Sequence, residues 1–220
     1  MSKAAVAETT VPNRRQRRRT ETIEEILELA VEQMAAEGVA ALSLSTVARR
    51  MGIRPPSLYQ YFPSKLAVYD ALFEQGNRWL LDTLAETETA TGDPIAQLRA
   101  TCVAIGRWSQ EHPLHAQLMF WRPVPGFVPS QASFAPAEEH MRILHDALVR
   151  AVAAGALAPA AAGPDGMALF TSIVAGVISQ QLANDPDAPV GEGRFARLMP
   201  VVFDMFLKYY APTTTRKGKR

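Results

Sequence analysis

The sequence predicts an all-α protein, with an N-terminal three-helix helix-turn-helix domain followed by a larger helical domain. Apolar residues recur at helical spacing along most of the chain, and no alternating apolar–polar run of strand length interrupts them. Glycine and proline stand between these segments, where helices end. Hydrophobic residues make up 48% of the 220 positions, which is enough to bury a substantial core.

The first helix is predicted to begin at a capping box. Thr22 and Glu25 have the spacing in which each side chain bonds the other's backbone N–H, and apolar residues follow at helical spacing until Gly38. Residues 1–20 are rich in arginine and lack an apolar period, so we predict a disordered basic arm there. The small domain itself is expected over residues 21–65.

Residues 43–62 have the spacing of a helix-turn-helix. Ser43 caps a short second helix, and Gly52 supplies the left-handed backbone that ends it. Pro55 suits the first turn of a third helix, because its missing N–H would have no partner there. That helix is predicted over residues 55–61 and ends before the next proline.

The larger domain is expected over residues 66–210, again from helical periodicity. Its longest proline-rich stretch, residues 122–136, is predicted to be a loop long enough to suggest a function. Residues 211–220 are predicted to form a basic tail. The helices of this domain are predicted over residues 66–85, 95–110, 114–121, 137–154, 165–182 and 193–210.

The formal net charge is +1, but basic and acidic residues are segregated along the chain. Residues 1–20 hold six basic side chains and one acid, and residues 211–220 hold four basic side chains. The residues between them hold 13 basic and 21 acidic side chains. This distribution excludes a uniformly basic, histone-like protein and suggests a polyanionic partner that contacts the ends of the chain.

The cysteine content and the apolar stretches indicate the compartment. The single cysteine, Cys102, excludes an intramolecular disulfide framework and a cysteine-based zinc site, and we interpret it as an inert packing residue. The longest apolar stretch, residues 167–178, is too short to cross a bilayer, and the N-terminus lacks the apolar core of a signal peptide. The sequence therefore predicts a cytoplasmic protein with no membrane partner.

The predicted third helix separates apolar from polar side chains. Leu58 and Phe62 face the core, whereas Ser57, Gln60 and Tyr61 face solvent. One helix fits the major groove of DNA, where glutamine can pair with adenine and serine can bind several base edges. The helix N-termini in this region also suit phosphate oxygens. The pattern predicts a DNA-reading helix.

Residues 21–74, about a quarter of the chain, resemble the DNA-binding domain of the TetR-type (tetracycline-repressor) family of bacterial regulators. The rest of the chain is similar to the family only in size and helical content. The resemblance implies a ligand-binding and dimerisation domain after the helix-turn-helix. The residues that carry it are Ile26 to Ala30, Gly38, Leu44 to Ile53 and, most specifically, the run Leu58-Tyr59-Gln60-Tyr61-Phe62-Pro63-Ser64-Lys65.

The resemblance also implies a set of DNA contacts. Ser43 would cap the second helix and contact a phosphate, and Tyr59 and Lys65 match the family's usual phosphate contacts. Arg54 stands where the family often has a serine or threonine cap, and we expect it to reach a phosphate or a guanine edge instead. The predicted DNA-binding residues are Ser43, Ser45, Arg54, Pro55, Pro56, Ser57, Tyr59, Gln60, Tyr61, Ser64 and Lys65, with Arg17, Arg18 and Arg19 of the arm.

Plainer alternatives exist for some of these residues. Tyr59 and Tyr61 could instead be core aromatics of a helical bundle. The arginines of the arm could form only a solvated tail, although their position beside the helix-turn-helix favours contact with a minor groove or phosphates. Residues 216–220 are interpreted as a solvating tail.

The aromatic residues of the larger domain suggest a pocket for a bulky, apolar ligand between helices. Each of them alone could simply fill the core, and it is the resemblance to the family that favours the pocket. Arg107, Gln110 and Gln117 are further possible polar contacts. The predicted ligand-binding residues are Phe73, Asn77, Trp79, Trp108, His115, Phe120, Trp121, Phe127, Phe134 and Phe170.

The last two helices have small and apolar faces that could pair with a second copy in a four-helix interface, as the resemblance implies. A two-fold dimer would read two half-sites about 34–36 Å apart. The predicted interface residues are Ala168, Ser172, Ala175, Gly176, Ser179, Phe195, Leu198, Val202, Phe203 and Phe206.

These features predict a ligand-responsive transcriptional regulator, with repression as the favoured mode. It would bind a palindromic operator in double-stranded DNA as a homodimer and be released by a small, fairly apolar effector. The alternative is a helical small-molecule-binding protein whose DNA-reading head is no longer used. An enzyme is not expected, because adjacent Glu138 and Glu139 point to different helix faces and no catalytic motif accompanies them. Neither a cofactor nor a metal site is predicted, since Pro113 breaks the helical spacing between His112 and His115.

Overall fold

The computed structural model of the protein describes residues 13–87 and 92–212. These residues form helices joined by turns, with no β-strand among them, so the all-α prediction is confirmed. The chain divides into two compact units, an N-terminal unit of residues 1–68 and a C-terminal unit of residues 69–220. The division falls within the fourth helix.

The N-terminal unit contains the predicted helix-turn-helix. Its first helix packs against the second, and the second packs against the third. Ile26, Val47 and Leu58, one from each helix, are completely buried and form the centre of this small core. The helices are α1 (Arg14–Glu37), α2 (Leu44–Arg50), α3 (Pro55–Leu58) and α4 (Lys65–Glu86), which continues into the C-terminal unit.

Helix α1 begins earlier than the sequence pattern predicted. The side chain of Asn13 accepts hydrogen bonds from the backbone of Arg15 and Gln16, and the Gln16 side chain accepts one from the Asn13 backbone N–H. Thr22, the predicted cap, lies inside the helix and donates to the Arg18 carbonyl oxygen at 2.8 Å. The prediction of a disordered arm is therefore wrong for residues 14–20, because an upstream capping box starts the helix there. Residues 1–12 lie outside the described residues.

Helix α3 is shorter than predicted. Its last residue is Leu58, whose carbonyl oxygen accepts from the backbone N–H groups of Tyr61 and Phe62 at 2.9 and 3.1 Å. Residues 59–61 therefore form a tight turn instead of a further helical turn. Proline at position 63 disfavours helical backbone at Phe62, so the helix does not resume after this turn.

In its described residues, the C-terminal unit contains the rest of α4 and five more helices. Phe170 of the eighth helix packs edge-on against Phe203 and Phe206 of the ninth, with ring centroids 6.4 and 5.3 Å apart. Leu98 and Leu148 are completely buried in the same core cluster. The helices are α5 (Pro94–Glu111), α6 (Pro113–Trp121), α7 (Gln131–Ala153), α8 (Pro164–Asn184) and α9 (Met199–Tyr209), with short 3₁₀ turns at Pro159–Ala162 and Ala196–Leu198.

Helix α7 begins inside the segment predicted as a loop. The side chain of Ser130 caps it by accepting from the Ser133 backbone N–H at 3.2 Å. The carboxylate of Asp70 on α4 accepts from the Ser130 N–H at 2.8 Å and from the Ser133 hydroxyl at 2.5 Å. Two caps thus start the helix before Pro136, which it tolerates near its N-terminal end. The loop prediction is wrong for residues 131–136.

The Asp70 contacts predict a pH-dependent contribution to stability. Burial disfavours the charged carboxylate, but the hydrogen bonds from Ser133 and Ser130 outweigh it and lower the pKa of Asp70 below 3.8. A group with a lowered pKa in the folded protein contributes stability above its unfolded value and loses it as the pH falls through the folded value. We expect Asp70→Ala to lower the free energy of unfolding by about 1 kcal/mol at neutral pH.

Urea unfolding of the wild type and Asp70→Ala over a range of pH checks this expectation. The difference between the two proteins should shrink as the pH falls below 3.8, the ordinary value for this carboxyl group. Asp82→Ala on the same helix is the control, because no partner of its side chain is found within residues 13–87 and 92–212. A difference that does not change with pH would contradict the role of the Asp70 charge.

Helix α8 is longer than its most apolar stretch, which ends at residue 178. It has 21 residues and is long and apolar enough, by length and composition alone, to cross a membrane. The whole helix is therefore longer than the stretch of residues 167–178 that was considered too short, because residues at both ends extend it. Buried core helices pass the same test, and Phe170, Val174 and Ile178 on this helix are buried in the C-terminal unit.

Helix α9 starts later than predicted. The predicted first residue, Gly193, lies before the helix. It packs so closely against Gln181 that an added Cβ would lie 2.2 Å from the Gln181 amide nitrogen. The chain makes a 3₁₀ turn at Ala196–Leu198 before the helix starts at Met199.

Candidate functional site

The helix-turn-helix is shaped by three local signals. The Ser43 hydroxyl accepts from the Thr46 N–H at 3.4 Å and lies 2.9 Å from the Ser45 hydroxyl. Gly52, at φ +69°, makes the turn after α2, and the Ile53 N–H closes it by donating to the Ala48 carbonyl oxygen at 3.0 Å. These bonds fix the start of α3 relative to α2.

The polar residues of α3 and the turn after it lie outside the core. Tyr59 is 51% exposed and Gln60 is exposed, whereas Leu58 and Phe62 are buried as predicted. The alternative that Tyr59 is a core aromatic is therefore wrong. Ser57 was predicted to face solvent but is half-buried. Pro55 and Pro56 are exposed.

Tyr61 is not a core residue, and its ring is in contact with an arginine. Its ring is half-buried and lies under the guanidinium of Arg19, whose central carbon is 5.2 Å from the ring centroid. Arg17 and Arg18 of the same helix are exposed. Since these arginines belong to the ordered first turns of α1, they present charge from a fixed position near the end of the helix-turn-helix.

An open concavity brings five of the predicted DNA-binding residues together. Ser43, Ser45, Tyr59, Ser64 and Lys65 all line it. The Ser64 hydroxyl accepts from the N–H of Ala67, which caps the first turn of α4, and the Lys65 ammonium lies 3.5 Å from the Ala40 carbonyl oxygen. Hydroxyl groups, one ammonium and a helix N-terminus form a surface suited to a phosphate oxygen.

Arg54 and the neighbouring arginines differ in whether their side chains have bonding partners. Arg54 is exposed and its side chain makes no capping hydrogen bond, as expected for an arginine in a position that usually caps. Arg50 forms an ion pair with Glu32, and Arg49 donates to the Thr46 hydroxyl at 3.3 Å. Within residues 13–87 and 92–212 no hydrogen bond or ion pair of the Arg54 side chain is found, so it is available for a base or phosphate.

The predicted ligand-binding residues fall into several groups within the described parts of the chain. Phe73 packs with Phe127 and Phe134, at centroid distances of 6.2 and 6.1 Å. A second group contains Trp79, Trp108, His115 and His112, while Phe120 contacts Trp121. Phe170 belongs to the core with the α9 phenylalanines. The rings therefore fill several parts of the core of the C-terminal unit.

Several buried polar groups among these aromatics are held by hydrogen bonds, although the buried ring N–H of Trp108 has no partner among the described residues. The Asn77 amide donates to the Phe73 carbonyl oxygen at 2.7 Å, and a His140 ring nitrogen lies 2.8 Å from the Asn77 carbonyl oxygen. His115 lies 3.1 Å from the Gln75 side-chain oxygen. Burial, aided by the nearby His112, lowers the pKa of His115 to about 4, so the ring is neutral near pH 7.

Cys102 lies in the same core as Leu98 and Phe170. Burial raises the pKa of its thiol to about 12, which outweighs the opposite effect of Arg99. The thiol stays protonated at neutral pH and packs as a small apolar side chain.

The largest correction concerns the predicted dimer face. Phe203 and Phe206 are buried in the core of their own unit, so they cannot also cover a second copy. The apolar residues that α9 exposes are Val201, Met205 and Tyr209, and Met205 and Tyr209 are 63% and 74% exposed. Of the remaining predicted interface residues, Ala168, Ser172, Gly176 and Leu198 are exposed, and Ala175, Ser179, Phe195 and Val202 are half-buried.

A helix-turn-helix with exposed polar residues beside an open polar concavity defines the class of the protein, a DNA-binding regulator. Comparison with known families supports this class. Residues 26–72 match the bacterial regulatory proteins of the tetR family, and residues 98–206 match the tetracyclin repressor-like C-terminal domain. The chain belongs to the TetR family of transcriptional regulators.

Individual relatives are regulators too. The chain is 27% identical over 133 residues to the HTH-type transcriptional regulator Rv1816 of Mycobacterium tuberculosis, covering 59% of this chain and 57% of that protein. It is 29% identical over 115 residues to the HTH-type transcriptional repressor KstR2 of the same species, covering 52% and 56%. The chain thus spans little more than half the length of these curated relatives.

Among solved structures, the putative regulatory protein SCO4313 is similar over nearly the whole chain. The TM-score is 0.67 and the sequence identity 27%, with 90% of this chain and 98% of that chain covered. These three relatives are named as transcriptional regulators or as a regulatory protein.

Proposed function

We propose that the protein is a ligand-responsive transcriptional regulator that binds a palindromic operator as a homodimer. We further propose that it acts as a repressor and is released from DNA by a small, fairly apolar effector. The observation that carries the proposal is the concavity of Ser43, Ser45, Tyr59, Ser64 and Lys65, next to the exposed Gln60. The relative KstR2 is named a repressor, which supports the proposed sign of regulation.

Different residues of the helix-turn-helix would contact the bases and the phosphates. Gln60 is exposed beyond the end of α3, where its amide can pair with adenine in the major groove. Tyr59, Lys65 and the N-terminus of α4 suit the phosphates on either side. Arg17 and Arg18 would add phosphate or minor-groove contacts from the first turns of α1.

A homodimer would place two such heads on one operator. Helices α8 and α9 pack against each other, and each leaves an outward face of small or apolar residues. Exposed apolar stripes of this kind mark interaction surfaces. A two-fold arrangement of these helices would pair the stripe of Val201, Met205 and Tyr209 with its copy.

The second candidate is a small-molecule-binding protein whose DNA-reading head is no longer used. A retired head has no physical reason to hold the exposed side chains of Tyr59 and Lys65 beside one concavity, which favours the regulator. As a regulator of transcription the protein would work in the cytoplasm, with DNA and an effector as partners and no membrane.

A gel-shift assay on DNA from the region upstream of the protein's own gene tests the proposal. We expect the purified dimer to bind that DNA in about 100 mM salt with an excess of random duplex present, since specific binding exceeds non-specific binding by roughly 10³–10⁷-fold. Equal binding to the upstream DNA and to random duplex would contradict sequence-specific regulation from this site.

A further inference from the structure

A cavity of about 460 Å³ lies in the C-terminal unit between α5, α8 and the segment that joins α8 to α9. Its volume is within the range of sites that hold small organic molecules. Val177, Ile178, Leu182 and Met199 give it an apolar lining, and Gly106 widens it by carrying no side chain. The ten main ligand contacts that the sequence suggested do not line this α5–α8 cavity, but Arg107 and Gln110, suggested as further polar contacts, both do.

The polar groups of the α5–α8 cavity are mostly donors. The Gln110 side-chain oxygen accepts from the Gly191 N–H at 2.8 Å, but the buried amide nitrogen of Gln110 has no acceptor among the described residues. Buried donors without a partner are rare in folded proteins, so this one points to a missing acceptor. This nitrogen has almost no exposed area, so a ligand acceptor reaches it only when the Gln110 side chain shifts toward the cavity that it lines.

Charge at the cavity is also unbalanced. Arg107 and Arg197 line it, and neither forms an ion pair within residues 13–87 and 92–212. Glu192 is the acidic residue in the lining. Two cations and one anion leave a single excess positive charge, which favours a monoanion over a dianion.

The outer wall of the cavity is held in place before any ligand arrives. Gln181 of α8 accepts from the N–H groups of Phe195 and Ala196 at 3.1 and 2.9 Å. Gly193 packs so closely on the Gln181 amide that no side chain would fit. Because the site is preformed, binding a ligand costs little conformational entropy. The cavity lies directly before the first turn of α9.

We propose that the α5–α8 cavity binds an amphiphilic monocarboxylate. The carboxylate accepts from the Gln110 amide and the Arg107 guanidinium, and the apolar chain lies along Val177, Ile178 and Met199. Apolar lining, an orphan donor and one excess positive charge together match this class of ligand and match a neutral or dianionic one poorly. The proposal that this ligand is the effector rests on the proposed ligand-responsive function. Binding of the carboxylate to the cavity does not itself require DNA.

Calorimetric titration of the full-length dimer with decanoate, and with decan-1-ol as the uncharged counterpart, tests the inference. We expect decanoate to bind at least about tenfold more tightly than the alcohol. Arg107→Gln should remove most of this preference. Arg150→Gln is the matched control, because Arg150 is an exposed arginine on α7 that does not line the cavity and has no ion pair in the part of the chain that the structure describes.

Methyl NMR locates the bound molecule. The Met199 methyl group lies at the cavity beside Gly106, where an added Cβ would be 3.2 Å away, whereas Met141 is exposed on α7. Decanoate should shift the Met199 methyl signal and leave the Met141 signal in place. Binding without a shift at Met199, equal binding of acid and alcohol, or undiminished binding by Arg107→Gln would overturn the proposal.

The ligand site and the DNA site can fail separately. If decanoate does not bind but the gel shift on upstream DNA is specific, the inference about this cavity is wrong and the proposed regulator stands. If decanoate binds as expected but no DNA sequence is preferred, the cavity is correct and the small-molecule-binding alternative replaces the regulator.

Discussion

Replacing Met205 by glutamate is expected to convert the proposed dimer into monomers and to weaken operator binding by about 100-fold or more. Met205 is 63% exposed at the centre of the α9 stripe. Two-fold pairing of this stripe would bury both introduced carboxylates without a partner, which is costly. A monomer can read only one half-site, so the affinity for a palindrome should fall with the dimer.

Sedimentation followed by a gel shift measures both effects. Met141→Glu is the matched control, since Met141 is 43% exposed on α7, outside the proposed interface. The control should remain dimeric and bind DNA as the wild type does. If Met205→Glu also stays dimeric, α9 does not form the interface in the way proposed.

Gln60→Ala and Lys65→Ala are expected to weaken DNA binding in different ways. A lost base contact costs about 1–3 kcal/mol at one position of the operator, or roughly 5–150-fold, and hardly changes binding to random duplex. A lost phosphate contact weakens binding to all sequences and reduces the slope of log affinity against log salt by about 1 for each contact. Gln60→Ala should show the first pattern and Lys65→Ala the second.

Titrations of operator and random DNA at several salt concentrations separate the two patterns. Arg150→Ala removes an exposed positive charge from the C-terminal unit and should change neither slope nor specificity. Equal losses on operator and random DNA for Gln60→Ala would refute its role in base reading. An unchanged salt slope for Lys65→Ala would refute its contact with phosphate.

The helix-turn-helix was predictable because its determinants are local. The cap at Ser43, the left-handed turn at Gly52 and the proline that opens α3 each act within four residues, so the sequence reveals them directly. The burial of Leu58 and Phe62 follows from the same short-range periodicity. The missed cap at Asn13 is also local, but the run of arginines after it obscured a helix whose apolar face starts later.

The helices of the C-terminal unit were predictable, but which faces of those helices are buried and which are exposed was less so. Phe203 and Phe206 share a helix with Met205, and the sequence does not show which face of α9 meets Phe170 across the core. Likewise, Asp70 and Ser133 are 63 positions apart, so the bond that starts α7 has no local signature. Aromatic content predicted a pocket, whereas the cavity depends on the packing of α5 against α8 and on the bonds of Gln181.

Selection of binding sites from a pool of random duplexes tests most directly whether the helix-turn-helix reads DNA as a dimer. The account predicts that the wild-type protein enriches an inverted repeat whose half-site centres lie about one helical turn apart, or a multiple of it. Gln60→Ala should enrich a less specific motif with the same spacing. Recovery of no motif, or of a single site without a repeat, would contradict the proposed dimeric regulator.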